Sequence, residues 1–185
     1  MDKVYHRGWC CIGLADPDFD AIVIGGGLSG LIAAREIASE GFRVSVYEED
    51  WDIGEPEKCA GLVSMKALRE IGVVPPYRAV QNEISRAIIH SPSGLELEID
   101  ARRQGVVVLD RSELDKDLAR RAAKAGAWIE LGWGAGFSEF EDGLVWVKTP
   151  SPKSTRLLID ASGVSSLVAD GRPGLLPAAR YEVEG

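Results

Sequence analysis

Short apolar runs, broken by glycine and by polar stretches, predict alternating strands and helices along the first part of the chain. The run at residues 21–24 predicts a strand, and residues 42–47 predict a second. Between them, Leu28, Leu31 and Ile37 recur at helical spacing, so we expect a helix from residue 28 to about residue 40, ended by Gly41. This order is typical of a strand–helix–strand unit.

The rest of the chain continues the same alternation with one interruption. Two short apolar segments flank Ser91-Pro92-Ser93-Gly94, which predicts an antiparallel hairpin at 86–90 and 95–99. Ser112 is expected to open a helix, with Asp115 three residues on as in a capping box, and Gly126 to end it. Further predicted elements are a helix at 65–70 and strands at 105–109, 127–131, 144–148 and 157–159, the last buried on both faces. The fold class is therefore α/β, a Rossmann-type domain with a parallel sheet and a small antiparallel hairpin.

Composition and charge narrow the class of protein. The 185 residues are 45% hydrophobic and 27% charged, as in a globular protein, and the net charge of −8 disfavours nucleic acid as a partner. No apolar run reaches the length of a membrane-spanning helix. Cys10 and Cys11 are adjacent and Cys59 is isolated, which indicates neither a disulfide framework nor a metal site. We therefore expect a cytoplasmic protein without a metal.

The strongest chemical signal is the segment from Asp20 to Glu48, DAIVIGGGLSGLIAAREIASEGFRVSVYE. Its G-x-G-x-x-G triplet of Gly25, Gly27 and Gly30 lies between a predicted strand and a predicted helix, which is the dinucleotide-binding fingerprint. Gly25 permits the tight turn, Gly27 lets a pyrophosphate approach the backbone, and Gly30 allows the helix to pack closely on the strand. The competing interpretation is a plain strand–turn–helix connection.

The residues after the glycines specify the ligand further. The N–H groups at the helix start, near Leu28 and Ser29, would face the pyrophosphate. Glu48 ends the second strand, where its carboxylate would accept hydrogen bonds from an adenosine ribose. Because a carboxylate repels a 2′-phosphate, Glu48 favours FAD or NAD over NADP.

Three later segments distinguish between those two cofactors. They are VVVLDRSELDKDLARRAAKAGAWIE, which delivers Arg111 at a helix start, LLIDASGVSS at 157–166, and EKCAGLVS at 57–64. Together with the glycine loop they resemble the FAD-dependent oxidoreductases of the geranylgeranyl reductase family, which are relatives of the aromatic-ring hydroxylase flavoproteins. The resemblance covers residues 20 to about 166, and its most discriminating part is the cysteine segment.

The resemblance implies a role for individual positions. Gly25, Gly27, Gly30 and Glu48 would hold the ADP part of FAD, and Cys59, Ala60 and Gly61 would line the cofactor. Arg111 would approach its phosphate or ribityl portion, and Ala135 would offer a backbone contact on the adenine side. Cys59 is the one candidate for a catalytic role, beside the flavin or the substrate alkene, as a proton donor or a thiolate. The competing interpretation of Cys59 is a buried, inert side chain.

The resemblance also implies an activity and a domain division. The activity would be saturation of C=C bonds in an isoprenoid lipid by hydride transfer from reduced FAD, with NAD(P)H or a ferredoxin as the electron donor and peripheral contact with a membrane. A flavin-dependent monooxygenase and a dinucleotide-binding fragment without turnover are the alternatives. We expect an irregular extension at 1–19, the FAD-binding domain at 20–170 as the first half of a longer flavoprotein, and a truncated tail at 171–185.

Overall fold

A computed structural model of the protein describes residues 16–166. The expectations for the N-terminal extension, for Cys10 and Cys11, and for the tail at 171–185 lie largely or wholly outside the described residues. No helix within residues 16–166 combines the length and the apolar composition needed to cross a membrane.

A six-stranded sheet forms the centre of the fold. Its strands are β1 (Phe19–Ile24), β2 (Val44–Glu48), β8 (Trp128–Leu131), β9 (Gly136–Glu141), β10 (Leu144–Lys148) and β11 (Lys153–Asp160). They lie in the order β8-β2-β1-β11-β10-β9. Strands β8, β2, β1 and β11 are parallel, and β10 pairs antiparallel with both β11 and β9. The predicted α/β fold class with a mainly parallel sheet is confirmed.

Two helices pack side by side on one face of this sheet. They are α1 (Leu28–Ser39) and α3 (Arg111–Ala125). Alanines at the contact, among them Ala34, Ala38 and Ala122, are buried against β1 and β2 and let the backbones approach closely. Because each parallel strand of this unit is followed by a turn at the same edge, the glycine loop after β1 and Glu48 at the end of β2 are brought together.

Smaller antiparallel elements project from this unit. A three-stranded sheet orders β3 (Leu62–Ser64), β7 (Val106–Leu109) and β4 (Val80–Ile84), and β3 leads directly into α2 (Met65–Glu70). A separate hairpin joins β5 (Arg86–His90) to β6 (Glu96–Asp100), which confirms the predicted hairpin. Short 3-10 turns occupy Tyr77–Ala79, Arg102–Gln104 and Gly163–Ser165.

Two local expectations are wrong. Helix α3 begins at Arg111, and its N-cap is Asp110, whose side chain accepts a hydrogen bond of 2.8 Å from the Glu113 amide. Ser112 does not cap it, because its hydroxyl donates instead to Glu55. Residues 157–159 pair with β1, but Leu157 is 50% exposed, so this stretch is not buried on both faces.

Candidate cofactor-binding site

A cavity of about 330 Å³ lies at the carboxyl edge of the parallel strands. The segment around Trp133 is tied to this edge, because the Trp133 amide donates to the Glu48 carbonyl at 2.9 Å and the Gly132 amide donates to Asp50 at 3.0 Å. Six residues predicted from the sequence line the cavity: Gly25, Gly27, Glu48, Cys59, Arg111 and Ala135. They come from five separate stretches of chain and converge on one concave surface.

Each glycine of the motif occupies a different environment in the loop. Gly25 has φ +107°, and a Cβ there would lie 2.3 Å from the Ala161 carbonyl oxygen. A Cβ on Gly30 would lie 2.0 Å from the Gly25 carbonyl oxygen, so Gly30 serves the close contact between helix and loop. A Cβ on Gly27 would meet no atom within 4 Å, which means that this glycine faces open space. Of the three glycines of the motif, only Gly27 therefore leaves room for a ligand beside the backbone.

The start of α1 is suited to a phosphate. Gly27 is its N-cap and provides no side-chain hydrogen bond, and the first turn contains no acidic residue. The N–H groups at Leu28 and Ser29 thus begin a 12-residue helix without a competing carboxylate in its first turn. The Glu48 carboxylate accepts from the Gly26 amide and, at 3.0 Å, from the Asp50 amide, which fixes it beside the loop.

Arg111 also lines the cavity and is held by carboxylates of the chain. Its guanidinium is 3.3 Å from Asp115, one turn along α3, and its backbone amide donates to Glu57 at 3.2 Å. Asp115 is 6% exposed. Burial raises the pKa of the Asp115 carboxyl, Arg111 opposes that shift, and the negative charges of Glu48 and Glu57 add to it. Asp115 thus supplies a negative charge to Arg111 from within the chain.

One donor of Arg111 stays unused within the described chain. Its Nε atom is buried and has no hydrogen-bond partner among residues 16–166. A buried donor without a partner is costly, and a bound phosphate or carbonyl oxygen would satisfy it. This atom, the uncapped start of α1 and the open space beside Gly27 fit the ADP and ribityl parts of FAD.

The cysteine segment crosses the rim of the cavity. Cys59 is exposed and forms no disulfide, so the expectation that this side chain is buried is wrong. The Gly61 amide donates to its Sγ at 3.4 Å. Ala60 and Gly61 do not line the cavity. A Cβ on Gly61 would lie 2.0 Å from the Leu109 carbonyl oxygen, so this glycine, with φ +73°, packs the segment on β7.

Several lining residues were not among the sequence-based candidates. Asp115 is the most consequential, and its position four residues after Arg111 on a helix is the signal that could have found it. Trp133 and Ser162 also line the cavity, and the Ser162 turn is organised by Asp160, which accepts from the Ser162 amide at 3.1 Å. Across the described residues, no group of three or more His, Cys, Asp or Glu side chains is arranged to hold a metal ion.

Comparison with known proteins agrees with this geometry. The family model of the FAD dependent oxidoreductases (DAO) matches residues 20–172. Digeranylgeranylglycerophospholipid reductase 1 of Methanopyrus kandleri is 35% identical over 91% of this chain and 48% of its own length. The chain thus spans about half the length of this curated relative. The resemblance to geranylgeranyl reductases predicted from the sequence is confirmed.

Solved structures show the same fold. A geranylgeranyl bacteriochlorophyll reductase-like protein from Thermoplasma acidophilum is 27% identical with a TM-score of 0.67, over 82% of this chain and 43% of that one. The halogenase PltM in complex with phloroglucinol and FAD is 17% identical with a TM-score of 0.63, over 80% of this chain and 35% of that one, and it shows the fold alone. The cofactor prediction is confirmed as FAD rather than NAD. The chain belongs to the family of FAD dependent oxidoreductases.

Proposed function

We propose that the protein is a flavin-dependent reductase that saturates isolated C=C bonds in the isoprenoid chains of a glycerophospholipid. Relatives named digeranylgeranylglycerophospholipid reductase are similar over most of the chain, which supports the proposal. The observation on which the proposal depends is the position of Cys59, exposed at the rim of the cavity lined by the glycine loop and Arg111.

Some residues of the site would bind FAD, and Cys59 would hold a proton for the substrate. The start of α1 and Glu48 would hold the ADP part of FAD, and Arg111 would bind its phosphate or ribityl oxygens. FAD, when bound and reduced, supplies a hydride to one alkene carbon, while a proton is added to the neighbouring carbon. Cys59 Sγ would hold a proton beside the alkene, oriented by the Gly61 amide. Asp115 would keep the Arg111 guanidinium in place.

The proposed cellular location follows from the lipid substrate. The protein would act from the cytoplasm and touch a membrane surface peripherally, since its lipid is there. NAD(P)H or a reduced ferredoxin would restore the reduced cofactor, and each is tested below as the reductant.

The first test is the visible absorption spectrum of the purified chain, followed by chromatography of the cofactor released by heat. We expect a flavin band and FAD in a one-to-one ratio with protein. The reduced protein is then incubated anaerobically with a geranylgeranyl glycerophospholipid, and mass spectrometry is expected to show two hydrogens gained per saturated bond. Turnover with dithionite, NADPH and reduced ferredoxin is compared to identify the donor.

The role of Cys59 is tested by comparing Cys59→Ala with Cys59→Ser. Both are expected to retain FAD, because the glycine loop, Glu48 and Arg111 are unchanged in them, and Cys59→Ala is expected to saturate lipid at least about tenfold more slowly. Cys59→Ser restores a side chain that holds a proton and should recover part of the rate. Wild-type activity in Cys59→Ala would remove Cys59 from the mechanism. A protein that binds FAD and hydroxylates aromatic compounds with oxygen, but saturates no alkene, would contradict the reductase assignment.

A further inference from the structure

A second cleft, of about 920 Å³, lies away from the cofactor cavity. It is bounded by α2, β4, β7 and the 3-10 turn Arg102–Gln104, and it shares no lining residue with the cofactor cavity. None of the sequence-based site candidates lies in it. The predicted cofactor site therefore does not account for the residues that line this cleft.

The cleft is lined by four cations, Lys66, Arg69, Arg102 and Arg103. Lys66 and Arg69 are three residues apart on α2 and so lie on neighbouring positions of one helix face. Arg102 is paired with Asp100 at 2.9 Å. The other three have no ion-pair partner among the described residues, although Glu70 and Glu83 also line the cleft. In a protein of net charge −8, unpaired cations concentrated at one cleft favour an anionic ligand.

The two cationic elements are fixed to each other by hydrogen bonds. The Met65 amide donates to the Gly105 carbonyl at 2.9 Å, and the Ser64 hydroxyl donates to the Gln104 carbonyl at 2.9 Å. The same Ser64 hydroxyl caps α2 by accepting from the Ala67 amide at 3.2 Å. The backbones that present the four cations are thus held in place before a ligand arrives, which lowers the entropic cost of binding.

The cleft is also apolar on one side. Val80 and Ile84 of β4, Val106 and Val107 of β7, and Met65 of α2 are among its lining residues. A free phosphate ion would gain nothing from these groups. A phosphate ester attached to a hydrocarbon chain would use both the cations and the apolar wall.

Two short segments of the polypeptide run from this cleft to the cofactor cavity. Cys59 lines the cavity and Lys66, seven residues later, lines the cleft; Leu62 lies between them and is 61% exposed. Strand β7 makes the same connection, with Val106 at the cleft and Arg111, just beyond its other end, at the cavity. Four strand residues span about 13 Å, a distance that an isoprenoid chain of many carbons covers.

We propose that the cleft binds the phosphate of the isoprenoid glycerophospholipid, with Lys66, Arg69 and Arg103 as its ligands and the chain directed along β3 towards Cys59. This inference rests on the proposed function for the identity of the lipid. The phosphate-binding chemistry itself rests on the cations and the apolar wall.

The test is calorimetric titration of the FAD-loaded protein with soluble short-chain phosphatidic acid below its micelle concentration. Dihexanoylglycerol supplies the same chains without phosphate, and inorganic phosphate and NADPH supply phosphate without the chains. The variant Arg69→Gln/Arg103→Gln removes two cations from the cleft. The matched control Lys124→Gln/Lys148→Gln removes two cations that also lack an ion-pair partner among the described residues but do not line the cleft.

We expect phosphatidic acid to bind, dihexanoylglycerol to bind far more weakly, and the cleft variant to lose about tenfold or more in affinity. The control should stay within about twofold of wild type, and higher salt should weaken binding. Equal affinity in wild type and cleft variant, or an equal loss in the control, would overturn the inference. Tighter binding of inorganic phosphate or NADPH than of phosphatidic acid would show that the phosphate bound here is not that of a lipid. Binding of an acidic ferredoxin without binding of phosphatidic acid would show the same.

The readout separates this inference from the proposed function. If wild type saturates no alkene but binds phosphatidic acid through the cleft cations, the reductase proposal fails and the phosphate site stands. If wild type saturates lipid and the cleft variant binds phosphatidic acid as wild type does, the phosphate site fails and the reductase proposal stands.

Discussion

A Cβ atom built on Gly25 would lie 2.3 Å from the carbonyl oxygen of Ala161. The glycine loop after β1 and the turn after β11 are therefore in backbone contact, on the floor of the cofactor cavity. The Ala161 amide in turn donates to the Ile24 carbonyl at 2.8 Å. The first glycine of the fingerprint thus serves the fold as well as the ligand.

Gly25→Ala is expected to destabilise the protein itself. The residue has φ +107°, which an alanine adopts only under strain, and its methyl group would overlap the Ala161 carbonyl. We expect the free energy of unfolding to fall by at least about 2 kcal/mol. Urea denaturation followed by circular dichroism measures it, and a midpoint equal to that of wild type would show that the loop can relax.

Gly27→Ala is the matched comparison and should separate binding from stability. Gly27 has φ −79°, which suits alanine, and its Cβ would meet no protein atom within 4 Å. We expect the urea midpoint to stay close to that of wild type, while FAD affinity falls at least about tenfold because the methyl group occupies the space of the pyrophosphate. Fluorescence titration of the apoprotein with FAD measures the affinity. Unchanged affinity would mean that the pyrophosphate does not approach Gly27.

Glu48→Gln tests the link between the second strand and the glycine loop. The carboxylate accepts from the Gly26 and Asp50 amides, and the amide of glutamine retains one oxygen for these two donors. We expect a loss of about 1 kcal/mol in the free energy of unfolding and weaker FAD binding. Glu139→Gln, on the exposed face of β9, is the control and should change neither. Loss of FAD without loss of stability would mean that Glu48 acts on the ribose alone.

The contributions of Asp115 and Asp18 to the free energy of unfolding are expected to change with pH in opposite directions. Burial raises the pKa of Asp115 above 3.8, so the folded protein binds this proton more tightly than the unfolded chain does. The stability contributed by that proton is present below pH 3.8 and is lost as the pH rises through the raised pKa. The unfolding free energy of wild type relative to Asp115→Asn should therefore fall with rising pH in this window.

Asp18 provides the control for that experiment. Its pKa lies below 3.8, chiefly because the Ser154 amide donates to its carboxylate at 2.9 Å. Its contribution is present above pH 3.8 and is lost as the pH falls through the lowered pKa, so wild type relative to Asp18→Asn should gain stability with rising pH. Parallel profiles for the two variants would contradict the assignment of either pKa shift.

Local signals predict the strands of the central sheet apart from β9, whereas two strands of the smaller sheet depend on distant pairing. Strands β1 and β2 are apolar runs with a glycine loop between them, so the sequence alone locates them. Strand β4 reads VQNEI, with polar side chains at most positions, and it is a strand because it pairs with β7. Strand β3 has three residues, and the sequence pattern predicts no strand there, for the same reason.

The same distinction applies to the cavity. Gly25, Gly27 and Glu48 belong to a motif whose spacing encodes its geometry, and the structure brings them together. The sequence predicts Asp115 as the capping-box partner of Ser112, whereas in α3 it is buried and paired with Arg111. Which side of a helix is buried at its first turn depends on the neighbouring strands and on the loop that carries Glu57. A single sequence does not contain that information.

The strand order has a consequence for synthesis on the ribosome. Strand β1 is among the first parts of the described chain to emerge, yet one of its two neighbours is β11, and the Asp18–Ser154 hydrogen bond beside this pair spans 136 residues. At about 5–20 residues per second the delay is on the order of ten seconds, during which one edge of β1 presents unpaired backbone groups. The nascent βαβ unit is therefore exposed to mispairing and to chaperone binding until residues 153–160 emerge and close the sheet.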